Sequence, residues 1–220
     1  MNTAEDLLAE SAEIWDAYFR HPFVRGIRDG TLDKARFRFY LMQDALYLEE
    51  YAKVFALGAA KAESLSTALL FSEYLSAINR ERAVHGGYFE QLSVSEEELR
   101  TTARSLDNLS YTSYMLRVGY EGDEAEILAA ILSCAYSYEM IAKRMLAENP
   151  KAGSDPFYGA WVREYASEAY AAENAKLIAA LNAVTEAATP AKRQRLRDIF
   201  VTCSRYELKF WDMAWQQKKD

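Results

Sequence analysis

The chain has 220 residues, half of them hydrophobic and 13% aromatic, with fifteen tyrosines; four prolines and nine glycines are scattered at element boundaries and mark no linker, so one domain with a sizeable core is expected. Thirty-three acidic against 26 basic residues leave a net charge of −7, which repels nucleic-acid phosphates and anionic membranes and excludes both as expected partners. Two cysteines without a CxxC pair exclude a disulfide framework and a four-thiolate zinc site, and an acidic N-terminus without an apolar run points to the cytoplasm and reduced thiols.

In chain order, Leu7, Leu8, Ala12, Trp15 and Phe19 recur at helical intervals and predict a helix from Ala4 to Tyr18, stopped at His21-Pro22. After a short piece over Phe23–Arg28, Asp29-Gly30 makes a turn. Thr31 or Asp33 then caps a long helix to about Ala62, whose stripe runs Phe37, Tyr40, Leu41, Asp44, Tyr47, Leu48, Tyr51, Val54, Phe55. The next helix spans about Ser64 to Leu92. Ser95 with Glu98 forms a capping box for a short helix, and Thr102–Ser110 reads as a loop. A helix resumes over Ser110–Tyr120 and breaks at Glu121-Gly122; Asp123 with Glu126 opens the helix that carries Cys134 and stops at Asn149-Pro150. Ser154 or Asp155, followed by Pro156, opens a helix to about Val184, and Thr189-Pro190 opens the last one, to near Gln216. No stretch alternates like a strand, so the fold class is all-α, in a single domain.

Three features place polar groups on core-like faces. Ile131, Cys134, Ala135, Tyr138, Ile141, Ala142 and Met145 follow intervals of three and four, so Cys134 and Tyr138 point the same way one turn apart. Asp44 lies with Tyr47 and Tyr51, and Glu207 lies with Phe210 and Trp211, each a carboxylate beside aromatics on one helix face. A carboxylate so placed lies at the stripe's edge, pairs with a base, or is kept inside to bind something; two of them, with a thiol, favour a polar pocket inside a helical bundle. The only histidines, His21 and His85, read as structural, the latter beside a possible bend at Gly86-Gly87. No Glu-x-x-His pair supports a di-iron bundle and no glycine-rich phosphate loop occurs, so neither metal nor cofactor is expected.

The phrases HPFVRGIRDGTL (21–32), FYLMQDALYLEEYAKV (39–54), YTSYMLR (111–117), LSCAYSYE (132–139), WVREYA (161–166) and YELKFWDMAW (206–215) resemble the TenA, or thiaminase II, family, in order and almost end to end. The resemblance implies a haem-oxygenase-like multi-helix bundle, a homotetramer, and no haem or metal. It also implies thiamin salvage, in which 4-amino-5-aminomethyl-2-methylpyrimidine is hydrolysed to the hydroxymethyl pyrimidine and ammonia and thiamin is cleaved more slowly. By motif position it puts the nucleophile on Cys134, the pyrimidine anchor on Asp44, the acid/base carboxyl on Glu207, the pocket tyrosines on Tyr47, Tyr111, Tyr138 and Tyr165, and an aromatic wall on Phe210. Two residues depart from the pattern: Tyr114 stands where a histidine is expected, and Cys203, one turn before Glu207, reads as packing. A pyrimidine-binding or regulatory protein without turnover, and a cofactorless oxidase, are the competing readings of such a scaffold.

Overall fold

The computed structural model describes residues 3–218 and is helical throughout, with no strand among them. The helices are α1 (Thr3–Glu10), α2 (Ala12–Arg20), α3 (Pro22–Arg28), α4 (Lys34–Lys61), α5 (Leu65–Gln91), α6 (Glu96–Thr101), α7 (Leu106–Glu121), α8 (Glu124–Glu148), α9 (Gly159–Tyr165), α10 (Glu168–Val184) and α11 (Pro190–Gln216), with one 3-10 turn at Ala152–Ser154. Helix α8 is the axis of the bundle, packed against α4, α7, α9, α10 and α11. It is long and apolar enough to cross a membrane, but 89% of its most apolar window is buried inside the protein, which is the pattern of a core helix in a bundle.

The expected caps form as the side-chain chemistry requires. Ser95, Asp123 and Thr189 accept from the backbone N–H groups of Glu98, Glu126 and Lys192 at 3.1, 3.1 and 3.2 Å, satisfying donors left open in each first turn. Asp33, rather than Thr31, caps α4, accepting from Ala35 at 2.8 Å. The turn before it uses Gly30 at φ +68°, a left-handed conformation that favours glycine.

Four boundaries differ from the sequence expectation, each for a local reason. The first helix is divided at Ser11, whose N–H reaches back only three residues to the Leu8 carbonyl at 3.2 Å. The loop expected over Thr102–Ser110 ends early: Ser105 caps α7 through the Asn108 N–H at 3.3 Å, and the Asn108 amide is itself held by the Gln43 carbonyl at 2.7 Å. Its polar residues are buried partners of α4, so the lack of apolar periodicity did not mean lack of helix. Pro156 opens no helix, because Asp155 Oδ1 accepts from both Phe157 and Tyr158 N–H at 2.9 and 2.7 Å and closes an Asx turn. The span to Val184 is then divided again at Ser167, which caps α10 through the Tyr170 N–H at 3.1 Å. Helix α5 runs on through Gly86-Gly87 without the expected bend.

Candidate active site

Helical spacing delivers the site. On α4, Asp44, Tyr47, Leu48 and Tyr51 fall at i, i+3, i+4 and i+7; on α8, Cys134, Ala135 and Tyr138 share a face; on α5, Tyr74, Ile78 and Glu81 do the same. These three faces, with Tyr165 of α9 and Tyr170 and Asn174 of α10, line one cavity of about 60 Å³. Tyrosine rings build its wall: Tyr47 and Tyr51 lie 5.1 Å apart, Tyr138 and Tyr165 4.8 Å, Tyr165 and Tyr170 5.3 Å. Asn174 ties α10 to α8 by donating to Glu139 Oε2 at 2.7 Å and to the Ala135 carbonyl at 3.2 Å.

Five of the eight site residues expected from sequence line this cavity: Asp44, Tyr47, Cys134, Tyr138 and Tyr165. Glu207, Tyr111 and Phe210 do not; all three are buried a layer behind it. The Glu207 carboxyl neighbours the Cys134 thiol and is held by the Tyr111 hydroxyl, which donates to Oε1 at 2.8 Å. Phe210 supports the wall edge-on, 5.8 Å from Tyr47 and 6.1 Å from Tyr40. Asp44 and Cys134 therefore line the cavity, and Glu207 lies beside the sulfur without lining it.

Burial sets the protonation of these groups. Glu207 is pushed up to about 8, by desolvation first, while the bonds from Tyr111 and Cys134 pull the other way and Asp44 and Glu81 push further. The Cys134 thiol is raised well above its usual range by burial and by the Glu207 charge, with the Tyr47 hydroxyl opposing. An unassisted thiolate is thus disfavoured, and the one carboxyl backing the sulfur titrates near neutrality, which suits proton exchange with it.

Two residues outside the expected set take part. His85, read from sequence as structural, is buried and sets Nε2 3.2 Å from Asp44 Oδ2. The approach is close but poorly angled, and Asp44 Oδ2 and both His85 nitrogens lack an aligned hydrogen-bond partner. Glu81, one turn before His85, accepts from the Tyr165 hydroxyl and is held up to about 7 by burial and then by Asp44, against the pull of His85 and Tyr165. The signal was present in the sequence: Phe71, Tyr74, Ile78, Glu81 and His85 form an i, i+3, i+7, i+10, i+14 stripe on α5. As for the two departures, Tyr114 packs 5.7 Å from Tyr206 and under Arg117, and Cys203 is fully buried.

The class this defines is an all-helical bundle that encloses a tyrosine-walled cavity with a buried thiol and carboxyls around it. A haem-oxygenase-like domain from Shewanella denitrificans shares the fold, with a TM-score of 0.73 at 14% identity over 97% of this chain and 92% of that one. Within that class the chain belongs to the TENA/THI-4/PQQC family, whose model matches residues 8–217. It is 42% identical over 217 residues to an aminopyrimidine aminohydrolase of Helicobacter pylori, covering 98% of this chain and all of that protein. A Bacillus subtilis aminopyrimidine aminohydrolase is 36% identical over 99% of this chain and 92% of its own length. Among solved structures, a TenA homologue from P. horikoshii OT3 superposes with a TM-score of 0.87 at 32% identity, covering 98% and 99% of the two chains. A TenA family transcription regulator from Silicibacter sp. TM1040 gives 0.89 at 31%, covering 97% and 96%.

Proposed function

We propose that this chain is a thiamin-salvage hydrolase that converts 4-amino-5-aminomethyl-2-methylpyrimidine and water to the hydroxymethyl pyrimidine and ammonia, cleaving thiamin more slowly. The observation that carries the reading is a cavity lined by both Asp44 and Cys134, with the Glu207 carboxyl beside the Cys134 thiol. Asp44, which lines the cavity with Oδ2 beside His85 Nε2, accepts charge-assisted hydrogen bonds from the amino N–H and from the ring nitrogen in its protonated form, while Tyr47, Tyr138 and Tyr165 pack on the flat ring.

The proton transfers of this scheme run between Cys134, Glu207 and the substrate. Glu207, ionised, takes the Cys134 proton, and the sulfur adds to the ring carbon beside the substituted one, breaking aromaticity. The ring electrons expel the amine at the exocyclic C–N bond, and Glu207 returns its proton to that nitrogen. Water then adds to the exocyclic methylene, losing a proton to Glu207, and the displaced electrons restore the ring by releasing the Cys134 sulfur, which takes that proton back from Glu207. The Tyr111 hydroxyl favours the ionised form of Glu207, and that form is the one the first step uses.

No metal or cofactor enters this scheme, and a chain of net charge −7 is read as a cytoplasmic enzyme that binds neither nucleic acid nor membrane. Exposed Leu65, Leu69, Leu106, Leu109 and Tyr120 on α5 and α7 support a homotetramer, which light scattering of the purified protein tests. Ammonia release from the aminomethyl pyrimidine, compared with its formylated precursor and thiamin at equal concentration, tests the activity. Tight binding of all three without product would support the regulatory reading instead, and oxygen uptake would support an oxidase.

A further inference from the structure

We propose that Asp44, Glu81 and His85 form a binding site for one first-row divalent cation of the zinc class, whose occupancy shuts the pyrimidine out. The competition rests on the role given above to Asp44; the binding of the cation does not.

One donor atom from each of the three side chains falls within 4.8 Å of the other two. Asp44 Oδ2 and His85 Nε2 are already 3.2 Å apart, close to the roughly 3.3 Å that separates neighbouring ligands about 2.0–2.1 Å from a tetrahedral ion. Asp44 and His85 are each 97% buried, and although Nε2 and Oδ2 sit 3.2 Å apart neither makes an aligned hydrogen bond. Buried polar atoms are rarely left so, and two of them facing one another at one point indicate an occupant. A second carboxylate, that of Glu81, reaches the same point, and two carboxylates meeting there favour a cation over a water as that occupant, because a cation relieves the repulsion between them.

The donor set selects the ion. An imidazole with two carboxylates suits zinc, cobalt or nickel and disfavours magnesium and calcium, which prefer all-oxygen shells. Glu81 and His85 are four apart on α5 and so share its face, while Asp44 comes from the adjacent α4. The Tyr165 hydroxyl on Glu81 Oε1 orients that ligand from outside the site. Three protein ligands leave a fourth position directed at the cavity that Asp44 and Glu81 line, and His85 also borders the outer groove lined by Met42, Leu46, Phe89 and Leu99, which gives the ion a route in.

Cobalt titration of the purified full chain with its thiols reduced tests the site. The expected result is one Co²⁺ per chain with the visible absorption of tetrahedral cobalt, displaced by one equivalent of Zn²⁺ and by the hydroxymethyl pyrimidine. Glu81→Gln and His85→Gln, checked for native helicity by circular dichroism, each weaken cobalt binding by at least about tenfold; if one folds poorly the other decides. No tetrahedral band in the unsubstituted protein overturns the proposal, as does a sulfur-to-cobalt charge-transfer band from Cys134 or Cys203, or unchanged affinity in the folded variant. A cobalt site in a protein that releases no ammonia leaves the site standing and removes the hydrolase reading; ammonia release without a cobalt site does the reverse.

Discussion

Tyr111→Phe isolates the control of Glu207 by a single hydroxyl. The Tyr111 ring sits 5.4 Å from Tyr47 and stacks on Tyr206 at 5.3 Å, contacts that phenylalanine keeps, so the variant loses only the 2.8 Å bond to Glu207 Oε1. A hydrogen bond to a charged group contributes about 1.5–3 kcal/mol, which corresponds to roughly 1–2 pKa units. The bond favours the carboxylate, so its removal raises Glu207 from its value of about 8. Because the ionised form takes the Cys134 proton, kcat/KM for the aminomethyl pyrimidine should rise with pH through a limb near 8. In the variant that limb should move up by about 1–2 units, costing about 10–100-fold at neutral pH and much less in alkali. Ammonia release followed across pH reads it directly. A limb that stays in place, or an equal loss at every pH, refutes the assignment of Glu207 as the proton shuttle.

The same carboxyl makes a stability prediction of definite sign. Its folded value lies above the ordinary one of 4.5, so the stability it contributes is full below about 4.5 and is lost as pH rises through about 8. Glu207→Gln, which cannot ionise, should gain Tm relative to the native protein between pH 5 and pH 8, by about 1.4 kcal/mol per pH unit at most, measured by scanning calorimetry. Asp44→Asn should weaken binding of the hydroxymethyl pyrimidine by about 10–100-fold, the equivalent of losing one charge-assisted bond, with calorimetric titration as the check. Gly58→Ala places a Cβ 2.5 Å from the fully buried Phe71 ring, and overpacking the α4–α5 contact should destabilise the chain by about 1–3 kcal/mol in urea unfolding.

How much of this was legible in the sequence depended on which signals were local. The capping boxes at Ser95 and Asp123 and the Thr189-Pro190 opening lie within four residues, and all three act as caps. The helix breaks at Ser11 and Ser167 were hidden because apolar spacing continues through them; a serine's preference for a cap becomes visible only once the chain's direction changes. Ser105 and Asn108 looked like loop because their burial depends on Gln43, 62 and 65 residues away. For the site, i, i+3, i+4 spacing put Asp44 with Tyr47 and Cys134 with Tyr138, and both pairs line the cavity. That Glu207 backs the sulfur without lining the cavity depends on the packing of α11 against α8, which spacing along α11 alone does not contain. His85 showed the limit from the other side: a lone histidine on an apolar stripe is most often structural, and only the approach of α4 reveals its carboxylate partner.

The sulfur facing this cavity carries the proposed reaction and does more than shape a binding site. Cys134→Ser removes the thiolate and keeps a small hydroxyl in its place, so pyrimidine binding and turnover can be measured separately on the same protein. Calorimetric affinity for the hydroxymethyl pyrimidine should stay within a few-fold of the native value while ammonia release from the aminomethyl pyrimidine falls by at least about 10³-fold. Near-native turnover in that variant would contradict it.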